Sequence, residues 1–251
     1  MRHSLEWKRL DVEMRDAGAT VKIIGIVGGI APGSTVDYYR RIIAAYQKQQ
    51  TDGSYPAIII NSIDLTKMIG LIEADRLAEV TEYLVDEVQR LAVAGAECGL
   101  LASNTPHIVF DGIAVRSPIP LVSIVEATCD EAKALRLKRP GLFGTRFTMQ
   151  GRSYSDVFTR EGMMVVVPEQ EEQAYIHDKY FAEFVKVNFL PETRARLLEI
   201  VDRMIERDKI DGLILGGTEL PLALRDSSHR GIPLLDTTGI HVKAIMAKAM
   251  S

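Results

Sequence analysis

The sequence predicts an α/β protein built as two similar, doubly wound parallel-sheet lobes with a pseudo-two-fold relation and an active-site cleft between them. Three observations carry this. Short apolar runs alternate with amphipathic stretches along the chain, the pattern of parallel strands covered on both faces. Several of those runs end in glycines or small polar residues, as strands do where they reach a pocket. The two halves also echo each other: GLLASNTPH is followed by IPLVSI, and GLILGGTELP by IPLLDT. From Ser103 to Pro120 is 120 − 103 = 17 positions, and from Gly217 to Pro233 is 233 − 217 = 16.

Each element follows from local pattern. KIIGIVGG (22–29) is a β-branched run closed by glycines, hence a buried strand. GSTVDYYRRIIAAYQKQQ (33–50) places Val36, Tyr39, Ile42, Ile43 and Tyr46 on one helical face. PAIIINSI (56–63) is a second strand, 74–95 a long helix ending at Gly95, CGLLAS (98–103) a third strand and IPLVSI (119–124) a fourth, followed by a helix over 125–137. The pattern then restarts with PGLFGT (140–145) as a strand, a helix over 148–162, and MMVVV (163–167) as a strand. Charged helices are expected over 169–186 and 191–207, strands over 211–217 and 232–237, and a closing helix over 238–250. The domain division that results is a polar extension at 1–21, a first lobe made of 22–120 plus 232–251, and a second lobe at 121–231.

Composition narrows the function classes. The 251 residues are 47% hydrophobic and 25% charged, with a net charge of −4. That leaves no basic footprint for nucleic acid and no polybasic membrane patch. No apolar run approaches the ~18 residues of a membrane span, and the charged N-terminus has no apolar h-region, so the protein is expected to be soluble and cytoplasmic. Cys98 and Cys129 form neither a disulfide framework nor a zinc spacing and read as inert core thiols. The five histidines are scattered, so no metal site is expected.

Three glycine or hydroxyl-rich turns carry the chemistry. GGIAPGST (28–35) nearly fits a phosphate loop, with Gly28, Gly33 and Thr35 in place but Ser34 where the lysine belongs. A tight turn whose backbone N–H groups, at Gly29 and Ile30, hold a small carboxylate is the better reading. SNTPH (103–107) offers Asn104 as donor and acceptor and Thr105 as a hydroxyl, although capping alone would explain those residue types. GGTE (216–219) adds Thr218 and Glu219. Facing one another across a cleft, these turns look like a site rather than a set of caps. His107 and His241 are a possible base and its support, with a turn residue and a helix-face residue as the plainer assignments.

In order along the chain, GGIAPGSTVDYYRRI, NSIDL, SNTPH, GTRFTM, the E-F-x-x-x-x-F stretch at 183–189, GGTELPL and LLDTTGIH resemble the motifs of the aspartate/glutamate racemase family, its cofactor-independent aspartate racemase branch above all. The resemblance spans about 22–250. It implies two α/β lobes around a cleft, a homodimer, no cofactor, and a small carboxylate or amino-acid ligand. It also implies two cysteines that face the substrate Cα from opposite sides, one passing a proton off and the other passing one on. In this chain those positions hold Ser103 and Gly217. A serine hydroxyl needs an adjacent base to act, and glycine supplies no proton, so two-thiol racemisation is not expected here. The binding set that the resemblance implies is Gly29, Ile30, Ser62, Asn104, Thr105, Thr145, Lys186 and Thr218. Ile72 stands where relatives often carry glutamine.

Two functions follow. One is an isomerase-superfamily enzyme with altered chemistry, such as one-base exchange, lyase or decarboxylase action, using Ser103, Glu219 and His107 as candidate catalytic groups at a site where Gly217 marks the lost cysteine. The other is a catalytically inactive sensor that keeps its carboxylate clamps.

Overall fold

The structure is a computed structural model that describes residues 21–50 and 52–251; the predicted extension, apart from its last residue, lies outside them. The first sheet contains β1 (Ile24–Gly28), β2 (Ile58–Ser62), β3 (Cys98–Leu101) and β4 (Leu121–Val122), in the order β2-β1-β3-β4, all parallel. The second contains β5 (Pro140–Gly144), β6 (Gly212–Gly216), β7 (Ser228–His229) and β8 (Ile232–Asp236), in the order β5-β6-β8-β7. Its pairs are parallel except the short β7, which runs antiparallel to β8. β1, β5 and β6 are buried along their whole length, which is why they read as unbroken apolar runs rather than as alternation.

The internal repeat is visible in the sheets. β3 lies between β1 and β4, and β6 lies between β5 and β8. The stretch 163–167, expected as a strand, makes only one parallel bridge, Val166 to Gly141. Its backbone bonds Leu142 N–H to Val166 O (2.8 Å) and Val166 N–H to Pro140 O (2.9 Å) before Pro168, which lacks a donor, ends the run. It thus sits against β5 as β2 sits against β1.

The helices are α1 (Pro32–Gln49), α2 (Leu65–Glu73), α3 (Leu77–Val93), α4 (Phe110–Arg116), α5 (Ile124–Ala134), α6 (Arg146–Gln150), α7 (Ser153–Arg160), α8 (Gln170–Ala182), α9 (Pro191–Asp208), α10 (Leu220–Ala223) and α11 (Thr237–Ala249). The short α4 and α10 are not expected from the sequence, and three further helices differ from expectation. A separate α2 precedes α3 because Asp64 caps it, accepting from Thr66 N–H at 2.8 Å. The helix expected over 148–162 breaks at Gly151 into α6 and α7, and the one expected over 169–186 ends at Ala182 and continues as a 3-10 turn, Phe184–Lys186. Among the described residues no helix is long and apolar enough to cross a membrane.

The lobes exchange their last helices. β4 pairs with β3 in the first sheet, yet α5, which follows it, buries Ile124, Val125, Cys129 and Ala132 in the core of the second lobe. β8 pairs with β6 in the second sheet, yet α11 buries Val242, Ile245, Met246 and Ala249 against Ile24, Ile26, Tyr38 and Leu100 of the first. The sequence places the boundaries at 120/121 and 231/232; the pairing of Leu121–Val122 and Ile232–Asp236 moves the crossings to the starts of α5 and α11. Both crossings are helix N-caps: Ser123 accepts from Glu126 N–H (3.3 Å) and Asp236 from Gly239 N–H (3.0 Å).

Candidate active site

The carboxyl ends of β1, β3, β5, β6 and β8 converge between the lobes. At the end of β1, Gly29 has φ +84°, and a Cβ there would lie 2.3 Å from Ile63 O and 2.9 Å from Ser62 Oγ, so only glycine fits. Gly29 N–H donates to Thr35 Oγ1 (2.8 Å), and Ser34 Oγ donates to Ala31 O (2.8 Å). The two hydroxyls of the loop therefore tie the turn to the start of α1. Ser62 is exposed beside Gly29, at the rim of the first lobe.

Beyond β3, Asn104 is held by both lobes. Its Nδ2 donates to Thr237 Oγ1 (3.2 Å) and its Oδ1 accepts from Tyr154 O–H (2.6 Å), while Thr237 donates to Leu215 O (2.7 Å). Thr105 Oγ1 meets Thr145 Oγ1 at 3.2 Å, and Thr145 meets Thr148 Oγ1 at 3.2 Å. Ser103, Asn104, Thr105, Thr145 and Thr218 are all buried. Thr105 from one wall thus meets Thr145 from the other, while Thr218 bonds Glu219 on its own wall. Asn104 keeps one amide hydrogen and one lone pair for a ligand.

Glu219 is the buried carboxylate of the cleft, 2% exposed. Its Oε2 accepts from Tyr180 O–H and from Thr218 Oγ1 (3.0 Å), while its Oε1 is buried with no hydrogen-bond partner. Burial raises its pKa; the hydrogen bonds from Tyr180 and Thr218 oppose that rise. Tyr180 is pushed well above the usual phenol range, by burial first and by the Glu219 charge second.

His107 is not the base that SNTPH invites. Its Nε2 accepts from Ile124 N–H (3.2 Å), so its Nδ1 carries the proton and donates to Ser103 O (2.9 Å). Both nitrogens are engaged, and burial, helped by His241, lowers its pKa to about 3. It holds the β4–α5 crossing, and it cannot activate the Ser103 hydroxyl. His241 does matching work: its Nε2 donates to Val122 O (2.9 Å) and its Nδ1 accepts from Tyr38 O–H (2.8 Å).

The other candidates scatter. Ile72 and Ile30 pack together with Val27 and Met68 in the core of the first lobe, so the Ile72 side chain supports the loop from below. Lys186 is exposed on the 3-10 turn Phe184–Lys186. That turn reaches the start of α1: a Cβ on Gly33 would lie 3.2 Å from Val187 Cγ2. Cys98 and Cys129 are buried in the cores of separate lobes. Burial raises both thiols, Cys129 to about 11, so neither supplies sulfur to the cleft.

Gly217 has a reason that the sequence does not disclose. A Cβ there would lie 2.5 Å from Tyr180 Cε2 and 3.1 Å from its hydroxyl oxygen. Tyr180 escaped the sequence reading along with Tyr154 and Thr237. Only its i, i+4 spacing from the buried Ile176 hinted that it faces inward.

Known proteins share this fold and much of this sequence pattern. Residues 27–245 match the family described as Asp/Glu/Hydantoin racemase. The broad specificity amino-acid racemase RacX of Bacillus subtilis (strain 168) is 25% identical over 231 residues, covering 90% of this chain and 97% of that protein. An aspartate racemase homologue from Pyrococcus horikoshii OT3 superposes with a TM-score of 0.76 at 31% identity, covering 92% of this chain and all of that one. Picrophilus torridus aspartate racemase shares the fold, with a TM-score of 0.70 at 22% identity over 91% of this chain and 94% of that one. The chain belongs to the Asp/Glu/hydantoin racemase family.

Proposed function

We propose that this protein is a racemase/isomerase-type enzyme that binds a small α-amino acid in the cleft and exchanges the proton at its Cα by non-thiol chemistry. The carrying observation is Glu219, a carboxylate buried just beyond the tip of β6 with one oxygen left without a donor. An unpaired buried acceptor is costly, and the ammonium group of an amino acid would satisfy it. Burial raises Glu219 above the usual carboxylate range, which makes it a stronger base than a solvent-exposed carboxylate. The substrate carboxylate would take the free amide hydrogen of Asn104 and the hydroxyl proton left over by the linked Thr105 and Thr145, while Thr218 keeps its proton on Glu219. Those donors would also stabilise the charge that develops next to it when Cα loses its proton. The relative called a broad specificity amino-acid racemase, and the one called an aspartate racemase homologue, support the amino-acid class.

Proton return to the same face gives exchange with retention. Inversion would require a donor on the opposite wall, where Ser103 has no base to activate it. A second reading, an amino-acid sensor without catalysis, draws on the mutual hydrogen bonding of Thr105 with Thr145 and of Asn104 with Thr237, which ties the groups of the carboxylate clamp across both walls. Incubation with L-aspartate, L-glutamate and L-alanine in deuterium oxide separates the two. Loss of the Cα–H signal is expected for the enzyme; measurable binding with an unchanged signal would leave only the sensor.

A further inference from the structure

We propose that Tyr180 is a catalytic residue of this cleft, its phenol carrying the proton between the substrate Cα and Glu219. The inference rests on the reading of Glu219 as the accepting carboxylate. The tip of β6 is open at Gly217, and the phenol end of Tyr180 stands where a side chain at 217 would project, with its Cε2 2.5 Å and its hydroxyl oxygen 3.1 Å from that Cβ position. The glycine is therefore a slot filled from another element. What fills it bears a hydroxyl, at the strand tip where ligands of parallel sheets bind.

The partners of that hydroxyl point the same way. Tyr180 O–H donates to Glu219 Oε2, which also accepts from Thr218 Oγ1 at 3.0 Å. Oε1 stays buried and unpartnered. A ring needed only to fill space could be a phenylalanine, as at Phe158 and Phe184 in the same core. Burying a carboxylate against a phenol is a costly way to hold a ring. The pair instead has the parts of a relay: an acceptor fixed by two donors, a hydroxyl set at the tip of β6 beside Gly217, and a second carboxylate oxygen that accepts from neither donor.

The step balances within these groups. The Cα proton passes to the phenol oxygen as the phenol's own proton passes to Glu219 Oε2. Glu219 goes from carboxylate to carboxylic acid, Tyr180 is neutral before and after, and the C–H electron pair remains on the substrate, delocalised into its carboxylate. After Glu219 trades its proton with water, the reverse step delivers a solvent proton to the same face.

The test measures Cα deuterium exchange and calorimetric affinity for L-aspartate, L-glutamate and L-alanine with wild type, Tyr180→Phe and Glu219→Gln. Tyr180→Phe keeps the ring in its slot, and its exchange is expected to fall about 100-fold or more, with the dissociation constant changed by less than about threefold. If Glu219→Gln abolishes exchange while Tyr180→Phe keeps the wild-type rate, the relay is wrong and the Glu219 reading survives. If both variants exchange normally, or wild type does not exchange at all, both fall. Should Tyr180→Phe fail to fold, 3-fluorotyrosine at position 180, a more acidic phenol, is expected to shift the pH–rate profile of exchange; an unmoved profile overturns the proposal.

Discussion

At the scale of single residues, Gly217 and Tyr180 form one unit. Any Cβ at 217 runs into a phenol pinned by Glu219, so the ring cannot simply swing aside. Gly217→Ala is expected to destabilise the protein by about 1–3 kcal/mol, the usual cost of overpacking. In a Tyr180→Ala background that cost should fall towards zero, because the obstacle is gone; a double-mutant cycle of urea melts reads the coupling. A cost for Gly217→Ala that persists without Tyr180 would mean that some other contact excludes a side chain there. The same unit marks the limit of what could be read from the chain. Asn104, Thr105, Thr218 and Glu219 were legible because each follows a strand that announces itself as an apolar run. Tyr180 was not, because its meaning depends on a glycine in another element. His107 misled for a related reason: its position in SNTPH suits a base, but its ring is consumed by Ser103 O and Ile124 N–H, the second of which lies beyond the motif.

At the scale of elements, the two buried histidines secure the crossings. His107, on the 3-10 turn Thr105–Val109, accepts from the first residue of α5, and His241, on α11, donates to the last residue of β4. Burial depresses both, to about 3 for His107 and about 4 for His241, below the ordinary value near 6.5. Between those values the unfolded chain binds more protons than the folded one. Their contribution is therefore complete above about pH 6.5 and is lost as pH falls through the depressed values. Urea melts from pH 7 to pH 4 should show stability declining by up to about 1.4 kcal/mol per pH unit for each histidine. His107→Gln, which cannot take up that proton, should flatten the slope by one histidine's share. An equal slope in wild type and variant would mean that the acid sensitivity lies elsewhere. The long strands and their tips were readable from the sequence, since parallel strands covered on both faces are continuous apolar runs; the order of the strands within each sheet was not. The crossings were not, because nothing in the apolar face of α5 or α11 says which sheet it covers.

At the scale of the whole molecule, each lobe lacks part of its own cover. Without α11 the first lobe would expose Ile24, Ile26, Tyr38, Ile42 and Leu100, which pack against Val242, Ile245 and Met246. A chain ending at Asp236 is expected to lose cooperative unfolding, seen as a broadened or absent thermal transition; a sharp transition near the full-length value would show that α11 is dispensable. The pseudo-two-fold echo in the sequence was enough to anticipate two lobes and a cleft, but it is silent on this trade of helices.

The trade has a practical corollary. A backbone nick in the connection between Ala134 and Pro140 would yield two fragments, each holding a sheet plus the helix that shelters its neighbour's. Neither piece would be soluble and ordered by itself, whereas mixing them should restore one particle by mutual complementation, much as interlocked halves of a clasp hold only when both are present.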